Sequence, residues 1–256
     1  VDQIVDAVRH RLAQGYQEVV LTGVKIGAYS YNGINLKEPL EHILTETDVA
    51  RLRLSSLQPQ EISPELIGLW HNRRLCPHFH LSLQSGSNWV LSRMKRHYST
   101  SDYEQSVSLI RSSVPEAAIT TDIMVGFPGE TDEDFDQTMK FIEKVRFVIA
   151  YSFMYSPRPG TPAAKLKQID LPTKKARLSA LQSLLKEQQK KFNKSFVNNK
   201  IDVLFEKNGR HNHQYIGRSI YNQSVFINSN EDLIGKNKNV LIKKSTGFAL
   251  EGKFSE

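Results

Sequence analysis

Residues 118–145, AITTDIMVGFPGETDEDFDQTMKFIEKV, decide the fold. The stretch 118–126 is apolar and β-branched, and it predicts a strand. It breaks at Gly126-Phe127-Pro128-Gly129. Thr131 then stands where a helix N-cap belongs, with Asp132, Glu133 and Asp134 in the first turn of a helix that runs to about residue 145. A strand, a glycine-bearing loop and a capped helix make one βα unit.

The same alternation recurs on both sides. Strand-like runs lie at 17–24 (QEVVLTGV), 50–56 (ARLRLSS), 78–84 (HFHLSLQ) and 148–156 (VIAYSFMYS). Helical patterns fall at 1–15, 37–46, 63–73, 87–95 and 101–113, with Ser63-Pro64-Glu65 opening one of them on a cap and a proline. Strands alternating with helices predict an α/β fold with a parallel sheet. The chain opens on a helix, with Ile4, Val5, Val8 and Leu12 at helical spacing, that feeds a strand. A further strand ahead of Val1 is therefore expected, giving at least six βα units, open or barrel-like.

The period changes after the first 164 residues. Residues 165–195 predict one long basic amphipathic helix, with Leu178, Leu181, Leu185 and Phe192 on its apolar face. Residues 196–256 predict five short strands (201–206, 214–220, 223–228, 239–243 and 248–253), a small all-β barrel of the OB type. Charge divides at the same place. Residues 1–164 carry net −3 and residues 165–256 carry net +10, which together give the chain's +7. A near-neutral body with a basic C-terminal part suggests a polyanionic partner. No run approaches the roughly 18 apolar residues of a membrane span, and no secretory leader is visible. Cys76 is the one cysteine of the sequence, which excludes an internal disulfide and predicts a reduced, cytoplasmic protein.

In parallel βα folds the ligand site forms where the strands end. Those loops are Thr22-Gly23-Val24, Leu54-Ser55-Ser56, Gln84-Ser85-Gly86-Ser87, Gly126–Thr131 and Tyr155–Thr161. All are small, polar or glycine-bearing, which suits a shared ligand site. The chain has no dinucleotide fingerprint, no P-loop, no metal-spaced cluster and no nucleophile elbow. His78 and His80 alternate on one strand and share a face, and a structural role is expected for them.

CPHFHLSLQSGSNWVLSRMKRHYS (76–99), TTDIMVGFPGETDEDF (120–135) and YSPRPGTPAA (155–164) resemble, in that order, signatures of the radical-SAM methylthiotransferases. GRS (217–219) and DLIGK (232–236) are similar to phrases of the family's RNA-binding TRAM module. The resemblance implies a partial radical-SAM (β/α)6-type barrel over 1–164, a linking helix over 165–195 and a TRAM barrel over 196–256. It implies S-adenosylmethionine and two 4Fe–4S clusters in the parent enzyme. The cluster ligands, a CxxxCxxC loop and three cysteines of an N-terminal domain, lie outside this chain. No catalytic residue and no metal ligand is therefore expected here, and the chain alone is expected to be inactive.

By the same resemblance, cofactor contacts are expected from Gly23, Gln84, Ser85, Ser87, Asp122, Gly126, Phe127, Pro128, Gly129, Glu130 and Arg158. RNA contacts are expected from Arg218, Lys236, Lys243 and Lys244. The implied partners are tRNA and a reductant of the flavodoxin or ferredoxin type, for a monomeric enzyme that does not engage a membrane. LTGVKIGAY (21–29) and RLRLSSLQP (51–59) look most like members that act at C2 of N6-threonylcarbamoyladenosine beside the anticodon. The alternatives are members acting on isopentenyladenosine and a non-catalytic RNA-binding protein on a degenerate barrel. The basic C-terminal part argues against a third branch that modifies a ribosomal protein.

Overall fold

The structure, a computed structural model, describes residues 1–254. Helix α1 (Asp2–Ala13) buries Val5 and Val8 and leads through Gly15, at φ +89°, into β1 (Glu18–Leu21). Helix α2 (Lys37–Glu46) and β2 (Arg51–Leu54) follow. Next come α3 (Pro64–Ile67), β3 (His78–Leu81), α4 (Asn88–Arg93) and α5 (Thr100–Ser113). Then come β4 (Ala118–Val125), α6 (Asp132–Val145) and β5 (Ile149–Met154). The caps act as the sequence implies. The Ser63 hydroxyl accepts from Leu66 N–H, and Thr131 and Asp134 form a reciprocal capping box. The helix expected over 63–73 is a single α-helical turn that tightens into 3₁₀ geometry from Gly68 to His71.

The five strands run parallel in sequence order. Glu18 is paired with Arg51 across β1 and β2, His78 with Ala118 across β3 and β4, and Thr120 with Ile149 across β4 and β5. The second strand is split at Ser55. Residues before it pair with β1, whereas Ser56 and Leu57 pair with His80 and Leu81 of β3. Among the described residues β1 and β5 do not pair, so the sheet is an arc with a lateral opening.

Side chains alternate across this arc. Leu52, Phe79, Leu81, Ile119 and Ile123 point outward and form one buried core with the helices. Arg53, His78, His80, Thr120, Asp122 and Tyr151 point inward and line the lumen.

Helix α7 spans Leu171–Lys194, starting later than the sequence pattern implied because Asp170 caps it and Pro172 fixes its first turn. Residues 162–165 form a separate 3₁₀ turn. The C-terminal strands are β6 (Lys200–Asn208), β7 (Gln214–Ser219), β8 (Ser224–Asn228), β9 (Asn237–Ser245) and β10 (Ala249–Lys253). They close in the order β7-β8-β10-β9-β6, with only β8 and β10 parallel. Val203, Phe205, Val225, Ile227, Val240, Ile242 and Leu250 fill the barrel. Gly217 lies at a register shift, where a Cβ would collide with the Leu204 carbonyl.

Two joints hold the barrels together. At the base of the arc, Arg51 donates to the carbonyls of Arg218 and Ser219 at 3.0 and 2.9 Å, and Arg53 donates to that of Ile220 at 3.1 Å. Both arginines are buried and share the Glu18 carboxylate, at 2.8 and 3.0 Å. Burial pushes the Glu18 carboxyl up, but Arg53 and Arg51 outweigh it and hold it below the ordinary carboxylate range. The second joint is Asn193 on α7, which is 1% exposed. It donates to Gly247 O at 2.9 Å and accepts from Gln223 at 2.8 Å.

Candidate active site

The lumen holds a cavity of about 370 Å³, lined by Val20, Arg53, Ser55, His80, Asp122 and Tyr151 among others, with Asn222 reaching in from the C-terminal barrel. A larger groove of about 610 Å³ lies on the outer base between α5, α6 and α7, away from the strand ends where this fold builds its sites.

A hydrogen-bond chain runs up one lumen wall. His78 Nε2 meets the Thr120 hydroxyl at 3.0 Å, the same hydroxyl meets His80 Nδ1 at 3.0 Å, and His80 Nε2 meets the Asp122 carboxylate at 3.1 Å. A carboxylate only accepts, so His80 Nε2 donates to it. With His80 neutral, the Thr120 hydroxyl donates to His80 Nδ1 and accepts from His78 Nε2–H. Burial holds His78 neutral, with its pKa driven down to about 3. The histidines thus orient Asp122 at the cavity wall. Among the described residues no group of three or more His, Cys, Asp or Glu could hold a metal ion.

The expected cofactor residues divide by what their side chains already hold. Asp122 lines the cavity. Gln84 sits at the strand end with φ +70°, a backbone region costly for a side-chain residue, fixed by hydrogen bonds to Asp122 O and from Met124 N. Gly23 and Arg158 are exposed on their loops. Phe127 packs edge-to-face on Tyr155 with centroids 5.3 Å apart, Pro128 is buried, and Gly129 lies against the Trp89 ring.

Three of the expected residues turn away from the cavity. The Ser85 hydroxyl meets that of Thr138 at 3.2 Å, and the Ser87 hydroxyl donates to Asp134 at 2.6 Å while capping α4. Both serines pin the third loop to α6. The buried Glu130 carboxylate accepts from Gly126 N at 3.1 Å and from Arg177 at 2.7 Å. Burial pushes its pKa up despite Arg177. Glu130 therefore closes its own loop, and the Gly126 amide is taken.

Ser55 lies in a loop the sequence points to, whereas Arg53, Tyr151, Asn222 and Arg177 are site-forming residues that sequence reasoning missed. The arginine-leucine alternation at 51–54 was the available signal for Arg53. Arg177 looked like one more cation on a basic helix, yet it grips Glu130 and, at 2.7 Å, Asp132. Among the expected RNA residues, Lys243 and Lys244 share a cleft with Lys190 and Lys194 of α7. Arg218 instead lies beside Glu206 and Asn222, and Lys236 is at the other end of β9.

A bound group is tested by unmet polar atoms. Ser55 Oγ and His78 Nδ1 are buried without a hydrogen-bond partner, and Asp122 supplies a charged acceptor between a cationic Arg53 and small hydroxyls. That donor set fits a polar ligand bearing hydroxyl and ammonium groups. It does not fit an iron–sulfur cluster. Cys76 is buried, burial raises its thiol pKa, and it is the sequence's one cysteine.

Comparison with known proteins places the fold. Residues 1–142 match the Radical SAM superfamily. The chain belongs to that superfamily. Residues 194–254 match the TRAM domain, which is the closed five-strand barrel. The tRNA-2-methylthio-N(6)-dimethylallyladenosine synthase of Maricaulis maris is 37% identical over 98% of this chain and 58% of its own length. The like-named protein of Agrobacterium fabrum is 41% identical over 94% of this chain and 55% of its own length. The radical-SAM chain thus spans somewhat more than half the length of these relatives. The radical-SAM coproporphyrinogen III oxidase of Escherichia coli superposes over 97% of the chain and 62% of its own, with TM-score 0.58 and 14% identity, which supports the fold. No helix among the described residues is long and apolar enough to cross a membrane.

Proposed function

We propose that this chain is the barrel and RNA-binding part of an S-adenosylmethionine-dependent enzyme that adds a methylthio group to N6-dimethylallyladenosine (isopentenyladenosine) in tRNA. The observation that carries it is the identity of 37–41% running through barrel and TRAM domain alike, to relatives of that one name. The basic TRAM part supports an RNA partner.

Those names favour the isopentenyladenosine alternative over the threonylcarbamoyl reading. The residues offered for the latter are poor discriminators. Val24 is fully exposed, and Ser56 and Leu57 are committed to pairing with β3.

S-adenosylmethionine, when bound and reduced, supplies the hydrogen abstraction. The chain's residues bind and orient. Asp122, held by His80, offers an acceptor to ribose hydroxyls or to the ammonium group, and Ser55 offers a free hydroxyl. Gly23 and Arg158 remain contacts from the exposed rim, with Arg158 able to meet the cofactor carboxylate or an RNA phosphate. Gln84 keeps its side-chain amide at the strand end, and the Gly126–Glu130 loop, closed on itself by Glu130, contributes shape. Deleting the encoding gene and analysing tRNA nucleosides by mass spectrometry tests the reading. Loss of 2-methylthio-N6-dimethylallyladenosine is expected. Loss of the threonylcarbamoyl counterpart instead would overturn it.

A further inference from the structure

The turn between β9 and β10 carries Phe248 outward, 60% exposed. Single exposed apolar side chains are ordinary on protein surfaces. This one is not alone. Lys186 of α7 lies over its ring, 5.4 Å from the centroid, while more than half of the residue stays open to solvent. Phe248 borders a hollow of about 320 Å³ against α7 and the open edge strand β5. On the other side of the same turn, Lys190, Lys194, Lys243 and Lys244 line a cleft of about 500 Å³. The acidic groups there are Glu187, paired with Lys190 at 2.9 Å, and Glu251, opposite Lys244 on β10. Cations outnumber them, and Lys186, Lys194, Lys243 and Lys244 enter no ion pair among the described residues. An aromatic face beside a track of unpaired ammonium groups is the chemistry that binds single-stranded nucleic acid, a base on the ring and phosphates on the cations.

We propose that the junction of α7 with the β9–β10 turn is a single-stranded RNA platform, where a base stacks on Phe248 while Lys186, Lys190, Lys194, Lys243 and Lys244 hold the flanking phosphates. The proposal rests on the tRNA reading and adds the linking helix to the RNA-binding surface. The platform adjoins the lateral opening of the arc, where β5 exposes Tyr151 and Phe153 on its inner face. An RNA strand leaving the lumen through that opening meets Phe248 next.

The test is fluorescence anisotropy of a labelled anticodon stem-loop RNA with the full chain, at several salt concentrations. Phe248→Ala is expected to weaken binding about tenfold with little change in salt dependence, and Phe248→Trp to restore it. Lys186→Gln with Lys194→Gln is expected to flatten the slope of log affinity against log salt by about 0.7 for each phosphate no longer neutralised. Circular dichroism checks that each variant is folded. Wild-type protein that binds no RNA overturns the tRNA reading and the platform with it. Wild-type binding that neither set of changes alters by more than about twofold overturns the platform alone.

Discussion

His78 is a buried imidazole with one nitrogen on Thr120 and the other unpartnered. Its folded pKa, about 3, lies below the unfolded value near 6.5. The unfolded chain therefore binds the proton first as pH falls, and stability drops below about pH 6.5 by roughly 1.4 kcal/mol per unit until pH 3. Above pH 6.5 this group contributes no pH dependence. Glu18 acts in the same direction. Its folded pKa is depressed, so its contribution is present above the unfolded carboxylate value and is lost as pH falls through the folded one. Urea titrations at pH 5 and pH 7.5 separate the two, because His78→Gln is expected to remove the loss between those values, where Glu18 stays ionised. Arg53→Ala is a second residue-scale case. It strands the Glu18 carboxylate with only Arg51 and strips the Ile220 carbonyl, at an expected cost of about 3 kcal/mol in the same titrations.

At the scale of elements, α7 decides more than its composition suggests. Arg177 near its start closes the Gly126–Glu130 loop, and Asn193 near its end fixes the TRAM turn. Arg177→Ala is expected to speed amide exchange at Gly126, whose N–H bonds the freed Glu130 carboxylate, while amides of β6 and β7 keep their protection. Equal acceleration in both places would mean that the helix only contributes bulk packing. The elements themselves were legible in the sequence, because periods of two and 3.6 residues leave a direct record of which face is buried. Thr131 and Ser63 announced their caps for the same local reason. What lies opposite a residue leaves no such record. Ser85, Ser87 and Glu130 sit in the right loops, yet Thr138, Asp134 and Arg177, distant in sequence, claim their side chains. The break of the second strand at Ser55 also depends on both neighbouring strands, and nothing in ARLRLSS specifies it.

For the whole molecule, the Arg51–Arg53–Glu18 joint ties the arc to the TRAM barrel. Scanning calorimetry of the wild-type chain is expected to give one transition. Arg51→Ala with Arg53→Ala is expected to give two, as the TRAM barrel, with its own closed core, unfolds apart from the arc. Helix α7 has a further consequence. It is a rigid rod at about 1.5 Å per residue. From Arg177, at the mouth of the lumen, to Lys186, over Phe248, it measures about 14 Å. With RNA held on Phe248, that fixed length works as a yardstick from the turn to the loop that Arg177 closes. The nucleotide offered for reaction is then selected by its distance along the strand from the one stacked on the turn, as well as by its own chemistry.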